Sequence, residues 1–398
     1  MRNCEIREFW IKNKIYDYFY AIIQSFMLKS APIHNTVLTA LSAAILFSCT
    51  GKTQLEYKEI SADRIAQLAE EHSIPSLQMT FYQQGQEYQT IVSGTDSADG
   101  TDQAIYQAAS LSKVIFSYIV MRLADEGIIG LDVPVCSYTG IDRFVDKKMA
   151  ARLTPRMILS HTSGLYNWAY SPVADEWATS PIAFHYPVDS RFAYSGEAFS
   201  FLQRAVEEVT GESLNKLAER YVFEPFDMPL SSYEWRSEYD ALALDGFTSD
   251  GRNTGKDEYF GSNCAYTLRT NSTEFMNFIV HAILYGEGLS DSAYSAWLTP
   301  RSHAIRFANE RRDCDKNMYW CLGVGSVCRE GTTQPDKYWH WGDNGTMKCL
   351  FVVDHDKGIA FDYFTNSANG HDICDEICEA VFGESFSIEA WIDNRDDE

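Results

Sequence analysis

Strand-like segments stand near both ends of this 398-residue chain, and helix-like segments fill the stretch between them. Leu77–Tyr82 and Tyr88–Val92 read as two strands joined by Gln83-Gln84-Gly85-Gln86, a hairpin. From Trp320 onward short strands return at Leu322–Val327, Lys348–Asp354 and Ile359–Asn366. Between them the pattern predicts helices over Ser110–Asp125, Gly196–Val209, Ser213–Val222 and Thr273–Leu284. Val114, Ile115, Tyr118, Ile119 and Leu123 mark the apolar face of the first, and Gly127 stops it. Another helix opens at Thr154-Pro155, with Thr as cap and Pro in the first turn. Helical spacing also marks Ile60–His72 before the first strand and Asp372–Phe382 after the last. Strands that cannot bury a face alone must meet, so this order predicts an α+β fold. In it, one antiparallel sheet is built from both ends of the chain and flanked by helices, with a mainly helical subdomain in the middle.

The first residues carry a different signal. Val37–Phe47 is an uncharged apolar run, too short to span a bilayer and of the right length for an export signal, with Lys29 ahead of it and Met27 as a candidate start. It ends in Leu46-Phe47-Ser48-Cys49, which resembles the lipobox of bacterial lipoproteins, with Cys49 as the lipidated residue. The expected organisation is an upstream extension and signal peptide over 1–48, a lipidated tether over 49–58, a catalytic domain over 59–386 and an acidic tail over 387–398. The expected location is periplasmic or outer-membrane attached, with membrane contact only through the lipid anchor. Ten cysteines fit export. With Cys4 and Cys49 set aside, Cys136, Cys264, Cys314, Cys321, Cys328, Cys349, Cys374 and Cys378 remain. An even set in an oxidising compartment predicts disulfides, without fixing which. Cys374 and Cys378, one turn apart, are too distant to bond to each other. With His371 they make a weak zinc candidate, lacking a Cys-x2-Cys partner. No metal or cofactor is expected. A net charge of −23 excludes a phosphate-binding surface and hence nucleic acid as a partner. A small-molecule or peptide substrate and a monomeric chain are the remaining expectations.

Three segments carry candidate chemistry. In Ser110-Leu111-Ser112-Lys113 the lysine falls one helical turn after a serine at a helix start, where its amine can reach the hydroxyl. A desolvated amine loses its proton readily enough to act as base. In Tyr194-Ser195-Gly196 the phenol needs a cationic neighbour before it can accept a proton, since its ordinary pKa is ~10. His340-Trp341-Gly342 pairs an imidazole with a glycine that lets a ligand approach the backbone. Each also has a plain structural explanation: a helix cap, a buried tyrosine, a strand-end histidine. A second copy of the first motif, Ser213-Leu214-Asn215-Lys216, reads as a cap and a surface lysine.

Taken in order, Ser-x-x-Lys, Tyr-x-Gly and His-x-Gly resemble the motifs of class C β-lactamases and their relatives, the D-alanyl-D-alanine carboxypeptidases and family VIII-type esterases. Asp125–Asp132, Leu153–Leu165 and Tyr221–Met228 are similar to other recurrent segments of that family, so the likeness spans roughly 60–383. The resemblance implies a serine hydrolase acting on an ester or amide through an acyl-serine. Ser110 would be nucleophile, and Lys113 and Tyr194 would share the proton work. Backbone N–H groups of Ser110 and Asp343 would hold the oxyanion, and His340 would polarise Tyr194 or meet a substrate carboxylate. Gly196, Trp341, Gly342 and Asp343 would touch substrate, while His161 and Thr162 would hold a loop. The chain departs from β-lactamases proper at Gly196, where they carry Asn, at His340, where they carry Lys, and at Trp341, where they carry a small hydroxyl residue. These departures point away from penicillin hydrolysis and toward an esterase or peptidase. The rival expectation is a lipoprotein of the same fold that recognises penicillin or another ligand with little turnover. No Gly-x-Ser-x-Gly elbow supports a Ser-His-Asp hydrolase.

Overall fold

A computed structural model describes residues 61–94, 103–258, 261–306 and 312–392. The expected signal peptide, Cys49 and the tether lie outside the described residues. Among the described residues, no helix is long and apolar enough to cross a membrane.

Eight strands form one antiparallel sheet: β1 (Ser76–Gln83), β2 (Gln89–Gly94), β3 (Ser302–His303), β4 (Met318–Trp320), β5 (Gly325–Cys328), β6 (Pro335–Asp343), β7 (Lys348–Asp354) and β8 (Ile359–Thr365). Their order is β2-β1-β8-β7-β6-β5-β4-β3. The first strand therefore pairs with the last, from Leu77 opposite Thr365 to Gln83 opposite Ile359. Both faces of the central strands are buried, and of these β7 reads as a near-continuous apolar run. In β7, Cys349, Phe351 and Val353 pack into the large helical core, while Leu350 and Val352 join the smaller core on the opposite face.

That smaller core is closed by three helices: α1 (Ala62–Glu71), α6 (Cys374–Phe382) and α7 (Ile388–Ile392). Ser61 caps α1 by accepting from Arg64 N–H, and Ile65, Leu68 and Ala69 form its buried side. The larger face carries α2 (Ser112–Asp125), α3 (Gly196–Thr210), α4 (Ser272–Phe278) and α5 (Asp291–Leu298). Helix α2 runs through the middle of the molecule with eleven side chains buried, Ser112, Lys113 and Ser117 among them. Each apolar side chain so enclosed contributes about 1.5–3 kcal/mol, which anchors the turn at its start.

Several sequence expectations need correction. Of the predicted strand Leu322–Val327 only Gly325–Val327 is extended, within β5, because the chain reverses between β4 and β5 at Gly323, whose φ of +84° takes the left-handed turn. A Cβ there would lie 2.3 Å from Ser117 Cβ. Strand β6 has no counterpart in the sequence reading, since Lys337 and His340 interrupt its apolar pattern. Both are nonetheless buried, and Lys337 is paired with Asp336 and, at 3.2 Å, with Asp354. The predicted disulfides are absent: Cys136, Cys264, Cys314, Cys321, Cys328, Cys349, Cys374 and Cys378 are free thiols. Most are packed singly as small apolar groups, which is the commonest use of buried cysteine. The acidic tail begins later than 387, because Ile388, Trp391 and Ile392 of α7 are buried beside β4 and β6 tryptophans.

Candidate active site

Ser110 sits in a 3-10 turn, Ala109–Leu111, that leads into α2. Ala109 holds φ of +44°, an uncommon conformation for a residue with a Cβ. No side chain caps α2, so the Ser110 hydroxyl is not spent on the helix. One turn on, Lys113 Nζ lies 3.0 Å from Ser110 Oγ and donates to Ala265 O at 2.7 Å. The amine is buried beneath the Tyr194 ring, 5.0 Å from its centroid, and near Phe199. Desolvation lowers its pKa from 10.5 to about 7, partly opposed by Cys264.

Tyr194 precedes α3, whose N-cap Ser195 accepts from Ala198 N–H at 3.0 Å. Its phenol oxygen is shielded from solvent and has no hydrogen-bond partner among the described residues. Burial pushes the phenol pKa up, with nearby Ser110 and the Arg306 charge pulling it partly back. Amine and phenol are thus displaced in opposite directions, so near pH 7 the phenol keeps its proton while about half of the amine has lost its own.

His340 lies in β6, two residues short of Gly342. Its Nδ1 is 2.6 Å from Trp341 O, and since a carbonyl only accepts, the proton is on Nδ1. Nε2 keeps a lone pair, buried and unpartnered among the described residues. Burial and the Lys113 charge lower the imidazole to about 3. It is uncharged at neutral pH and so supplies no standing cation for a carboxylate.

Strand β6 reaches the nucleophile turn because it outruns its neighbour. Pairing with β5 ends at Trp339 opposite Gly325, whereas pairing with β7 continues to Asp343 opposite Lys348. Residues 340–343 therefore have a strand on one side only. Their other edge faces the Ser110 turn, where a Cβ on Gly342 would lie 2.5 Å from Ala108 O and 3.1 Å from Ala109 Cβ. His371, drawn from the zinc candidate, supports this edge from behind, 3.1 Å from Gly342 O. Cys374 instead lies 2.9 Å from the Tyr363 hydroxyl. No group of three or more possible ligands is arranged for a metal among the described residues. Trp341 packs over Tyr194 with ring centroids 5.0 Å apart, and Asp343 pairs with Lys348 at the exposed strand end.

The segment containing His161 does more than hold a loop. Ser195 N–H donates to His161 Nδ1 at 3.2 Å, and the imidazole lies against the Tyr194 ring with centroids 4.2 Å apart. Ala193 N–H donates to His161 O, and Thr162 Oγ1 donates to Asp189. Together they grip the stretch that delivers Tyr194. The sequence offered no local sign of this, because the two segments are distant in the chain. Ala265 was likewise invisible, since its part is played by a backbone carbonyl.

Gly196 has a reason of its own. A Cβ there would lie 2.3 Å from Trp168 Cζ2, so an indole occupies the space a side chain at 196 would need.

The sequence profile of the Beta-lactamase family matches residues 62–376. Penicillin-binding protein 4 of Amycolatopsis lactamdurans is 26% identical over 180 residues, 42% of this chain and 46% of that protein. This chain thus matches under half the length of that relative. Among solved structures, a class C β-lactamase superposes with a TM-score of 0.67 at 14% identity, covering 81% of this chain and 94% of that one. The D-stereospecific amidohydrolase from Streptomyces sp. gives 0.65 at 18% identity, covering 82% of this chain and 99% of the other. At such identities the structural likeness speaks for the fold alone.

Proposed function

This chain belongs to the Beta-lactamase family, whose members are serine hydrolases, and from that premise we propose that it cleaves an ester or amide through an acyl-serine formed on Ser110. One observation carries the reading: the Ser110 hydroxyl stands 3.0 Å from an amine whose pKa burial has brought to about 7. A base is most effective when its pKa lies near the working pH.

As Ser110 Oγ attacks the carbonyl, its proton passes to neutral Lys113. The negative charge on the carbonyl oxygen is met by the N–H groups of Ser110 and Asp343, each worth ~3 kcal/mol in such a role. Collapse expels the alcohol or amine, which takes a proton from Lys113 through the Tyr194 phenol. Water then attacks the acyl-serine, gives its proton back along the same groups, and releases the acid. With Tyr194 raised and Lys113 lowered, the lysine is the base and the tyrosine the proton carrier. His340, neutral, stands beside them with its ring centroid 6.3 Å from that of Tyr194, close enough to bear on the phenol though not bonded to it.

A β-lactam suits this site poorly. The site lacks the side-chain amide at 196 and the fixed charge at 340, so an ester or amide with a different acyl group is the favoured substrate. The test is direct: a fluorescent fluorophosphonate should label Ser110, and p-nitrophenyl acetate should be hydrolysed. A folded protein that neither reacts nor turns over would return the reading to a binding protein. Export and lipidation at Cys49 form part of this proposal. The intact mass of the mature chain tests them, with an N-terminal diacylglyceryl cysteine as the expected result.

A further inference from the structure

The residues around Ser110 close into a ring whose composition bears on the substrate. Past Tyr194 comes Gly196, then Trp168 lying over it. Trp168 meets Tyr266 edge to face, with centroids 5.8 Å apart and planes at 88°. Tyr266 follows Ala265, the acceptor for Lys113, and its carbonyl also accepts from Asn344 Nδ2 at 3.2 Å, one residue beyond the end of β6. Trp168 and Tyr266 are both partly exposed, whereas Gly196 and Ala265 behind them are buried. The two rings thus form an aromatic corner, the indole against Gly196 and the phenol ring one residue on from the Lys113 acceptor Ala265.

The loop bearing Trp168 is fastened residue by residue to the start of α3. Ser195 Oγ donates to Tyr166 O at 2.8 Å. Gly196 N–H donates to Asn167 Oδ1 at 2.9 Å, and Glu197 N–H to Asn167 O at 2.8 Å. The buried Glu197 carboxylate accepts from Ala169 N–H and from Trp177 Nε1, and pairs with Arg143 at 3.1 Å. A wall held in this way is pre-organised for whatever packs on it.

Position 196 offers no side chain to a polar acyl group, because the Trp168 indole fills that space. Asn167 Oδ1 is taken by Gly196, and Asn344 Nδ2 is shared between Tyr266 O and, at 2.7 Å, Gln107 Oε1. We propose that Trp168 and Tyr266 form the wall for the substrate's acyl group, and that this group is apolar and flat, an arylalkanoyl rather than an acylamino chain. The proposal rests on the acyl-serine reading and names the substrate class for the same site.

Two measurements test it. In the first, kcat/KM is compared for p-nitrophenyl 3-phenylpropanoate and p-nitrophenyl acetate. The native protein should favour the aryl ester by about tenfold, the scale of one aromatic contact with its buried area. Trp168→Ala should bring the ratio near one, Trp168→Phe should keep most of it, and Tyr266→Leu should lower it. A ratio unchanged by Trp168→Ala and by Tyr266→Leu overturns the proposal, while general damage to the fold would lower both rates together. In the second, 3-phenylpropanoate and propanoate are titrated calorimetrically into the Ser110→Ala protein, with and without Trp168→Phe or Trp168→Ala. Tighter binding of the aryl acid, lost stepwise with the indole, supports the wall; equal affinities overturn it. The second measurement needs no turnover. Aryl binding without cleavage of either ester sinks the hydrolase reading and keeps the wall, whereas cleavage without aryl preference does the reverse.

Discussion

Two segments of this chain share the pattern Ser-Leu-x-Lys and have opposite fates. Ser213 is a helix N-cap: its hydroxyl accepts from Lys216 N–H, and the Lys216 side chain stands in solvent. Ser110 caps nothing, because the chain enters α2 through a 3-10 turn strained at Ala109. Its hydroxyl instead meets the side chain of Lys113, which is 2% exposed. Local spacing is the same in both. The difference is what surrounds the lysine, since Ala265, Tyr194 and Phe199 arrive from remote parts of the chain to desolvate one amine and not the other.

The largest effect that separates the two should come from the serines themselves. Ser110→Ala should lower ester kcat on the order of 10^4-fold or more, as removal of an acylated serine does elsewhere, while Ser213→Ala leaves kcat alone. Comparable ester rates in native and Ser110→Ala proteins would remove the distinction.

Next come the lysines. Lys113→Met should abolish turnover yet stabilise the fold by ~1–3 kcal/mol, whereas Lys216→Met should change neither. The sign follows from the ionisation. The unfolded chain holds its lysine proton up to about pH 10.5 and the folded chain only to about 7, so stability rises with pH between these values. The cost of the native lysine is therefore largest below pH 7, and there the methionine variant should gain most. Urea unfolding at pH 6 and pH 10 measures both.

A third test concerns rate rather than stability. The acid limb of kcat/KM should fall tenfold per pH unit below about 7 as Lys113 takes up its proton. His340, lowered to about 3, should add no limb near neutrality, so His340→Asn should keep the limb while lowering the rate. A limb that vanishes in that variant would transfer the titration to the imidazole. The smallest effect is the loss of the cap: Ser213→Ala should cost about 1 kcal/mol of stability, read as a lower urea midpoint.

Much of the fold was legible because it follows from local periodicity. The β1–β2 hairpin, β7, β8, the Thr154-Pro155 start and the cap at Ser213 all depend on residues within a few positions of one another. Strand β6 was not legible, because a strand is recognised by alternation and this one places Lys337 and His340 at buried positions. Lys337 is buried against Asp336 and, from β7, Asp354, while His340 is held by Trp341 O and rests beside the Tyr194 ring. The disulfide expectation failed for a related reason. An even count states what is available for pairing, but geometry decides which sulfurs meet, and eight packed thiols do not.

By itself, the sequence determined the order of strands and helices, and with it one sheet closed between the first and last strands. It also determined which side chains could do chemistry: Ser110, Lys113, Tyr194 and His340 were all nameable in advance. Only the tertiary structure decided which Ser-Leu-x-Lys has an amine that loses its proton near neutral pH, why position 196 is glycine, and what His161 touches. Ionisation and steric fit depend on what lies within a few ångströms, and here those neighbours come from segments far apart in the chain.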